Sequence, residues 1–172
     1  MIVLESLLSG TLSMKRALTV VFVIVAIIVL VGVIGAFQFN PSAMTEPGRT
    51  ETYLATEAKH FLVRRASRAA IPPPADLQAS IGGADILYGM ECGACHALNV
   101  PKEMSLGGWM YPRGADLTSP EVQRYSDREL FWIVQNGIRM SGMPAFGKVE
   151  TDAHIWKLVH YLRTLPAKAD AP

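Results

Sequence analysis

Cys92-Gly93-Ala94-Cys95-His96 contains the only two cysteines of the 172-residue sequence. A Cys-x-x-Cys-His run is the pattern of covalent haem attachment, in which both sulfurs form thioethers to one haem and the histidine lies under its iron. A thioredoxin-type dithiol would need a neighbouring strand–helix–strand pattern, which the sequence lacks. A zinc site would need two further ligands, and His154 and His160 do not have zinc-finger spacing. The run therefore predicts one haem c, bound through Cys92 and Cys95, with His96 as the proximal ligand.

A second motif lies further along the chain, at Gly142-Met143-Pro144-Ala145-Phe146-Gly147. Together with the cysteine run it makes residues 81–166 resemble a class I-type monohaem cytochrome c of the membrane-anchored bacterial form. The resemblance covers about half of the chain and implies that Met143 is the second axial ligand. Methionine suits this role because its soft thioether favours reduced iron. Met140 is the nearest competitor, and Met110, Met104, a histidine or an open site are the remaining alternatives.

The same resemblance implies contacts around the haem edge. Residues 107–113 lie where the family folds a loop around the haem propionates, so we expect Arg113, with Trp109 or Tyr111, to donate hydrogen bonds to a propionate. The alternative is a surface loop with one aromatic side chain turned inward. The chain departs from the family after His96, where a Gly-Pro pair often supplies the carbonyl that orients the histidine. Pro101 is the candidate for that role here.

The fold class predicted for the haem domain, residues 81–172, is all-α, because no segment alternates with period two over a strand length. Ser126 to Glu129 forms a capping box before a helix that Gly137 would end. Another helix is predicted over 151–165, and the resemblance implies that it crosses a first helix opened by Gly82-Gly83, glycines that would let another backbone approach. Ser119-Pro120 signals a shorter helical turn. The expected core, packed partly on haem, contains Leu87, Phe131, Trp132, Ile133 and Trp156.

Residues 17–37 form an apolar run without a charge or proline, and at about 1.5 Å of rise per residue it matches the thickness of a hydrocarbon core. Lys15 and Arg16 precede it, so the positive-inside rule predicts a cytoplasmic leader at 1–16 and a periplasmic haem domain at a bacterial inner membrane. A cleaved signal peptide is the alternative, since the same charges and apolar run form an n-region and an h-region.

Residues 38–80 are predicted to be a linker that contains a basic amphipathic helix over 51–70 and a proline-rich spacer at 72–74. We expect the helix to pack its apolar side on the haem domain or on a partner subunit, with anionic lipid as the alternative. His60 is expected to be structural or solvated, not an iron ligand. The apolar side comprises Leu54, Ala58, Phe61, Leu62, Ala66 and Ala69.

The composition and the expected iron ligands together limit the functions that the chain can have. A net charge of +1 gives no basic footprint for nucleic acid. Iron with both axial positions filled can pass single electrons but offers no site for a small-molecule substrate. We therefore expect an electron carrier with protein redox partners at the periplasmic face of the membrane, and no enzyme activity of its own. The alternatives are a permanently bound haem subunit of a larger oxidoreductase and a haem-based sensor, which requires the Met143 bond to break.

Overall fold

The computed structural model describes residues 14–38, 40–74, 82–98 and 104–165. Residues 1–13 of the predicted leader, the end of the predicted linker after Pro74, Pro101 and the residues after 165 lie outside these ranges. The described residues are helical without any strand, which confirms the all-α class. The helices are α1 Met14–Gln38, α2 Arg49–Ala66, α3 Ala84–Glu91, α4 Pro120–Gln123, α5 Asp127–Asn136 and α6 Asp152–Thr164.

The chain divides into two compact units, residues 1–42 and residues 43–172. In the first unit, α1 is long and apolar enough over Arg16–Gln38 to cross a membrane, by length and composition. Its described side chains are exposed, and most of them are large and apolar. A helix with apolar side chains on all sides is typical of a membrane span.

Local side-chain chemistry sets the helix ends of the second unit. Ser126 Oγ accepts from the Glu129 backbone N–H at 3.3 Å, and the Glu129 carboxylate accepts from the Ser126 N–H at 2.7 Å, which is the predicted capping box. Gly137 ends α5 with φ +68°, and Thr151 caps α6 through the His154 N–H at 3.3 Å. The predicted helix starts and stops are therefore confirmed at these positions.

The core of the second unit forms where α5 and α3 each meet α6. Phe131 stacks on Trp156 with ring centroids 4.4 Å apart, and both side chains are fully buried. Tyr88 of α3 contacts Tyr161 of α6 at 5.3 Å, so the first and last helices of the domain cross as expected. Predicted core residues Leu87, Trp132 and Ile133 are partly buried against this cluster.

The glycines before α3 do not admit a neighbouring backbone from the described part of the chain. A Cβ added at Gly82 or Gly83 would meet no described atom within 4 Å. Gly83 instead has φ +80° at the N-cap of α3. Glycine is needed there because a side chain disfavours the left-handed region.

Helix α2 packs on the haem domain, but not with its predicted face. Val63 is 2% exposed and belongs to the core cluster, and His60 and Ser67 on the same side are also buried. The predicted contact residues Leu54, Phe61 and Leu62 point outward. The apolar periodicity correctly indicated an amphipathic helix. The domain nevertheless packs against the opposite side of α2, because that side carries stacking, hydrogen-bonding and ion-pair partners for groups of the domain.

His60 provides the clearest of those partners. Its ring stacks on Tyr125 at 4.2 Å, and its Nε2 accepts from Arg124 Nε–H at 3.1 Å. Burial, and then the Arg124 charge, lower the pKa of His60, which keeps Nε2 free to accept at neutral pH. His60 is therefore structural, as expected. Ion pairs from Lys59 to Glu121 at 3.0 Å and from Arg64 to Glu129 at 3.6 Å flank this contact.

Replacing Val63 with alanine tests which face of α2 is packed. We expect V63A to lower the free energy of unfolding by about 2 kcal/mol, because it removes buried methyl groups and leaves a cavity. The matched variant L54A should change it by less than about 0.5 kcal/mol, since Leu54 is exposed. Urea unfolding followed by tryptophan fluorescence measures both, and equal losses for the two variants would contradict the packing.

Candidate functional site

The site begins at the C-terminal end of α3, where the Cys-x-x-Cys-His run forms a tight turn. The Cys92 N–H continues the helix by donating to Tyr88 O at 2.8 Å, and the His96 N–H then donates to Cys92 O at 2.8 Å. The Tyr88 hydroxyl donates to the His96 carbonyl from beneath the turn. Because both ends of the turn are bonded to α3, the two cysteines and the histidine leave the helix in a defined arrangement.

A second segment, residues 105–115, packs directly against this turn. The Leu106 N–H donates to Ala94 O at 3.0 Å, and Gly114 N–H donates to Gly107 O at 2.8 Å. A Cβ on Gly107 would collide with the Cys95 carbonyl, and one on Gly114 would lie 2.9 Å from the same oxygen. Glycine is therefore required at both positions by the close approach of two backbones.

This packing determines the orientation of His96. The His96 Nδ1 lies 2.8 Å from the Ala115 carbonyl oxygen. A carbonyl can only accept, so Nδ1 carries the proton and Nε2 keeps the lone pair that a metal needs. The role expected for Pro101 is thus filled by Ala115. The sequence did not indicate this partner, because Ala115 lies nineteen residues after His96.

The cysteine turn and the 105–115 segment enclose one side of a cavity of about 260 Å³. Cys92, Cys95, His96 and Met143 all line it, so four residues from two distant parts of the sequence meet at one site. The rest of the lining is mostly aliphatic and aromatic and includes Leu117, Val122, Leu130, Ile133, Val134, Phe146, Leu158 and Leu162.

The four methionines considered as iron ligands differ in whether they line the cavity. Met143 is partly buried, and its N–H donates to Ser141 Oγ at 3.2 Å, in a loop whose start is set by Gly137. A Cβ on Gly137 would lie 2.7 Å from Met143 O. Met140 is 89% exposed and Met104 is 73% exposed, and neither lines the cavity. Met110 does line it and packs against Gly142, a proximity that the sequence did not indicate.

The three predicted propionate donors lie in different surroundings. Arg113 lines the cavity and forms an ion pair with Glu46. Tyr111 donates to the Glu51 carboxylate of α2, and Trp109 is 70% exposed. Tyr111 and Trp109 are not among the residues that line the cavity, whereas Lys59 of α2 is. Their propionate contacts remain predictions.

The residues of this site fit a covalently bound haem. Burial, with Glu91 next in effect, raises the pKa of the Cys92 thiol to about 12, so the sulfur is neutral in an apolar wall, as a thioether is. The buried Tyr125 hydroxyl has no hydrogen-bond partner among the described residues, and Tyr125 lines the cavity. Burial raises its pKa to about 12, so it remains a donor for a group that brings an acceptor.

Comparison with known proteins identifies the same part of the chain. Residues 83–162 match a family model described as cytochrome c oxidase, cbb3-type, subunit III. No curated protein and no solved structure matches the chain. The matched range begins at the N-cap of α3 and ends within α6, so it contains the cysteine turn, the 105–115 segment and the methionine loop.

Replacing Gly107 with alanine tests the backbone contact at Cys95. We expect G107A to lower the yield of chains that carry covalent haem severalfold, because the added methyl displaces the segment that holds His96 through Ala115. The matched variant G89A adds a methyl where no described atom outside its own helix and its chain neighbours lies within 4 Å, and it should leave the yield unchanged. Haem staining of denaturing gels, normalised to total protein, measures the yield. Equal yields would show that the two segments do not need this close approach.

Proposed function

We propose that this chain, which carries a monohaem cytochrome c-type domain, is a membrane-anchored carrier of single electrons at the periplasmic face of a bacterial inner membrane. That the domain transfers electrons through haem c follows from the family match. The assignment of the iron ligands rests on one observation: His96 and Met143 line the same apolar cavity as both cysteines.

In this proposal Cys92 and Cys95 would hold the haem, and His96 and Met143 would supply the ligands of its iron. Bound haem supplies an iron that changes oxidation state by one electron. His96 contributes Nε2, because its Nδ1 proton is committed to Ala115. Met143 contributes a thioether from a loop whose approach to α5 depends on Gly137. With both positions occupied, no coordination site remains for a substrate.

The surrounding residues limit contact of the site with water. The wall formed by α5 and α6 contributes Ile133, Val134, Leu158 and Leu162, all aliphatic. An apolar wall disfavours the more highly charged oxidised site, and a methionine ligand acts in the same direction. Both effects favour the reduced form, which is consistent with a carrier that accepts electrons readily. Besides His96, the polar side chains of the lining are Lys59, Glu91, Arg113, Tyr125 and Ser141.

The membrane location is supported by α1 and by the charges before it. Arg16–Gln38 has the length and composition of a span, and Lys15 and Arg16 precede the apolar run. Positive residues at that end favour a cytoplasmic N-terminus, which directs residues after the span to the periplasm. Covalent haem attachment through two cysteines is compatible with that compartment.

Replacing Met143 with alanine tests the ligand assignment. We expect M143A to lose the far-red sulfur-to-iron absorption band of the oxidised protein completely, and the reduced protein to bind carbon monoxide at neutral pH. Loss of the thioether leaves one axial position open, which explains both changes. Absorption spectra of the full chain in detergent, before and after addition of carbon monoxide, measure them.

Two matched variants complete this test. M140A should keep the band, because Met140 is exposed and lies outside the cavity lining. M110A should also keep it, although Met110 lines the cavity. A band that survives in M143A and disappears in M110A would assign the ligand to Met110. Ready carbon monoxide binding by the unaltered protein would favour a sensor over a carrier.

A permanently bound subunit of an oxidase is the second candidate function. It is favoured by the description of the matching family, a cytochrome c oxidase subunit. Because α2 packs on its own domain, protection of α2 from hydrogen exchange would not separate a carrier from a subunit. Purification in mild detergent does separate them. A carrier is expected to elute alone, whereas co-elution with other proteins in constant ratio would establish the subunit.

A further inference from the structure

We propose that the outward face of α2 lies on the membrane surface and holds the haem domain against anionic lipid headgroups. The face, called here the α2 stripe, consists of Leu54, Ala58, Phe61, Leu62 and Arg65. It goes beyond the proposed electron transfer and rests on one part of it, namely that α1 is retained as an anchor.

The geometry of the stripe follows from helical periodicity. Leu54, Ala58, Phe61 and Arg65 are spaced four, three and four residues apart, which aligns them along one side of a helix. Val63 and His60, which pack on the domain, lie on the opposite side. Helix α2 therefore has two distinct faces. One is used within the fold, and the other presents Leu54, Phe61 and Leu62, each about 60% exposed.

The charges on α2 fit an anionic surface. Arg65 and Arg68 are exposed, and in the described part of the chain neither forms an ion pair. The two carboxylates of the helix are engaged elsewhere, Glu51 by the Tyr111 hydroxyl and Glu57 by Arg124 at 3.7 Å. Apolar side chains next to free arginines are the composition of an interfacial helix, in which the chains enter the headgroup region and the guanidinium groups bind phosphates.

The short connection between α1 and α2 favours lipid over a soluble partner as the surface that covers the α2 stripe. Helix α1 ends at Gln38 and α2 begins at Arg49, so ten residues, 39–48, separate the two helices. Ten residues extend to at most about 35 Å, so a membrane that holds α1 is always within reach of α2. Tethering makes the contact intramolecular, and weak affinity of a short apolar stripe is then sufficient. A second copy or another subunit would have to find the stripe by diffusion.

The experiment uses the full chain with haem in nanodiscs that contain one chain each. Single cysteines are introduced at Ala58 on the stripe and at Val149, an exposed residue of the haem domain, and the rate of labelling by a neutral polyethylene-glycol maleimide is measured. With anionic phosphatidylglycerol present, we expect labelling of A58C to slow by about tenfold relative to V149C. R65Q and R68Q together should remove most of this protection, because their guanidinium groups supply the attraction to the anionic headgroups.

Each outcome decides the proposal. Equal labelling rates for A58C and V149C in anionic discs would overturn it, and so would protection that requires two chains in a disc, which would identify a second copy as the occupant. A chain that does not enter discs would overturn it through the loss of its anchor. The haem spectrum is recorded in every sample. An unchanged spectrum with failed protection would leave the electron-transfer function standing and remove only the membrane contact.

Discussion

The close approach of two backbones at Cys95 is the constraint on which the site depends. Gly107 and Gly114 bring the 105–115 segment against the Cys95 carbonyl, and only this approach places the Ala115 carbonyl within 2.8 Å of His96 Nδ1. That hydrogen bond selects the imidazole tautomer and leaves the Nε2 lone pair free for a metal. The turn that holds both cysteines thus also has its histidine oriented by a distant loop, which would couple haem attachment to iron ligation.

The remaining architecture supplies what a small domain lacks. A domain of this size buries little of its surface and commonly needs additional support. Here α2 adds Val63 to the core and a neutral His60 stacked on Tyr125, while a haem would fill the cavity between the cysteine turn and the wall formed by α5 and α6. The segment between α1 and the family-matched range is therefore structural as well as connecting.

Helix α2 also shows what an apolar sequence pattern predicts and what it does not. Its apolar periodicity correctly indicated an amphipathic helix, but Leu54 and Phe61 do not pack on the domain, which was one of the two protein surfaces expected for them. Periodicity measures which side of a helix avoids water, and lipid satisfies that requirement as well as a protein core does. The side that packs was selected by Tyr125, Arg124 and Glu129, which come from sequence positions more than sixty residues away.

The sequence by itself determined the features that depend on neighbouring residues. The spacing of Cys92, Cys95 and His96 indicated haem, the Ser126–Glu129 capping box and Gly137 set the bounds of α5, and the apolar run after Arg16 indicated a span. Only the tertiary structure decided that Ala115 orients His96, that Met110 shares the cavity with Met143, and which face of α2 is buried. Those contacts join residues far apart in the chain, and no local propensity or period encodes which distant groups meet once the helices pack.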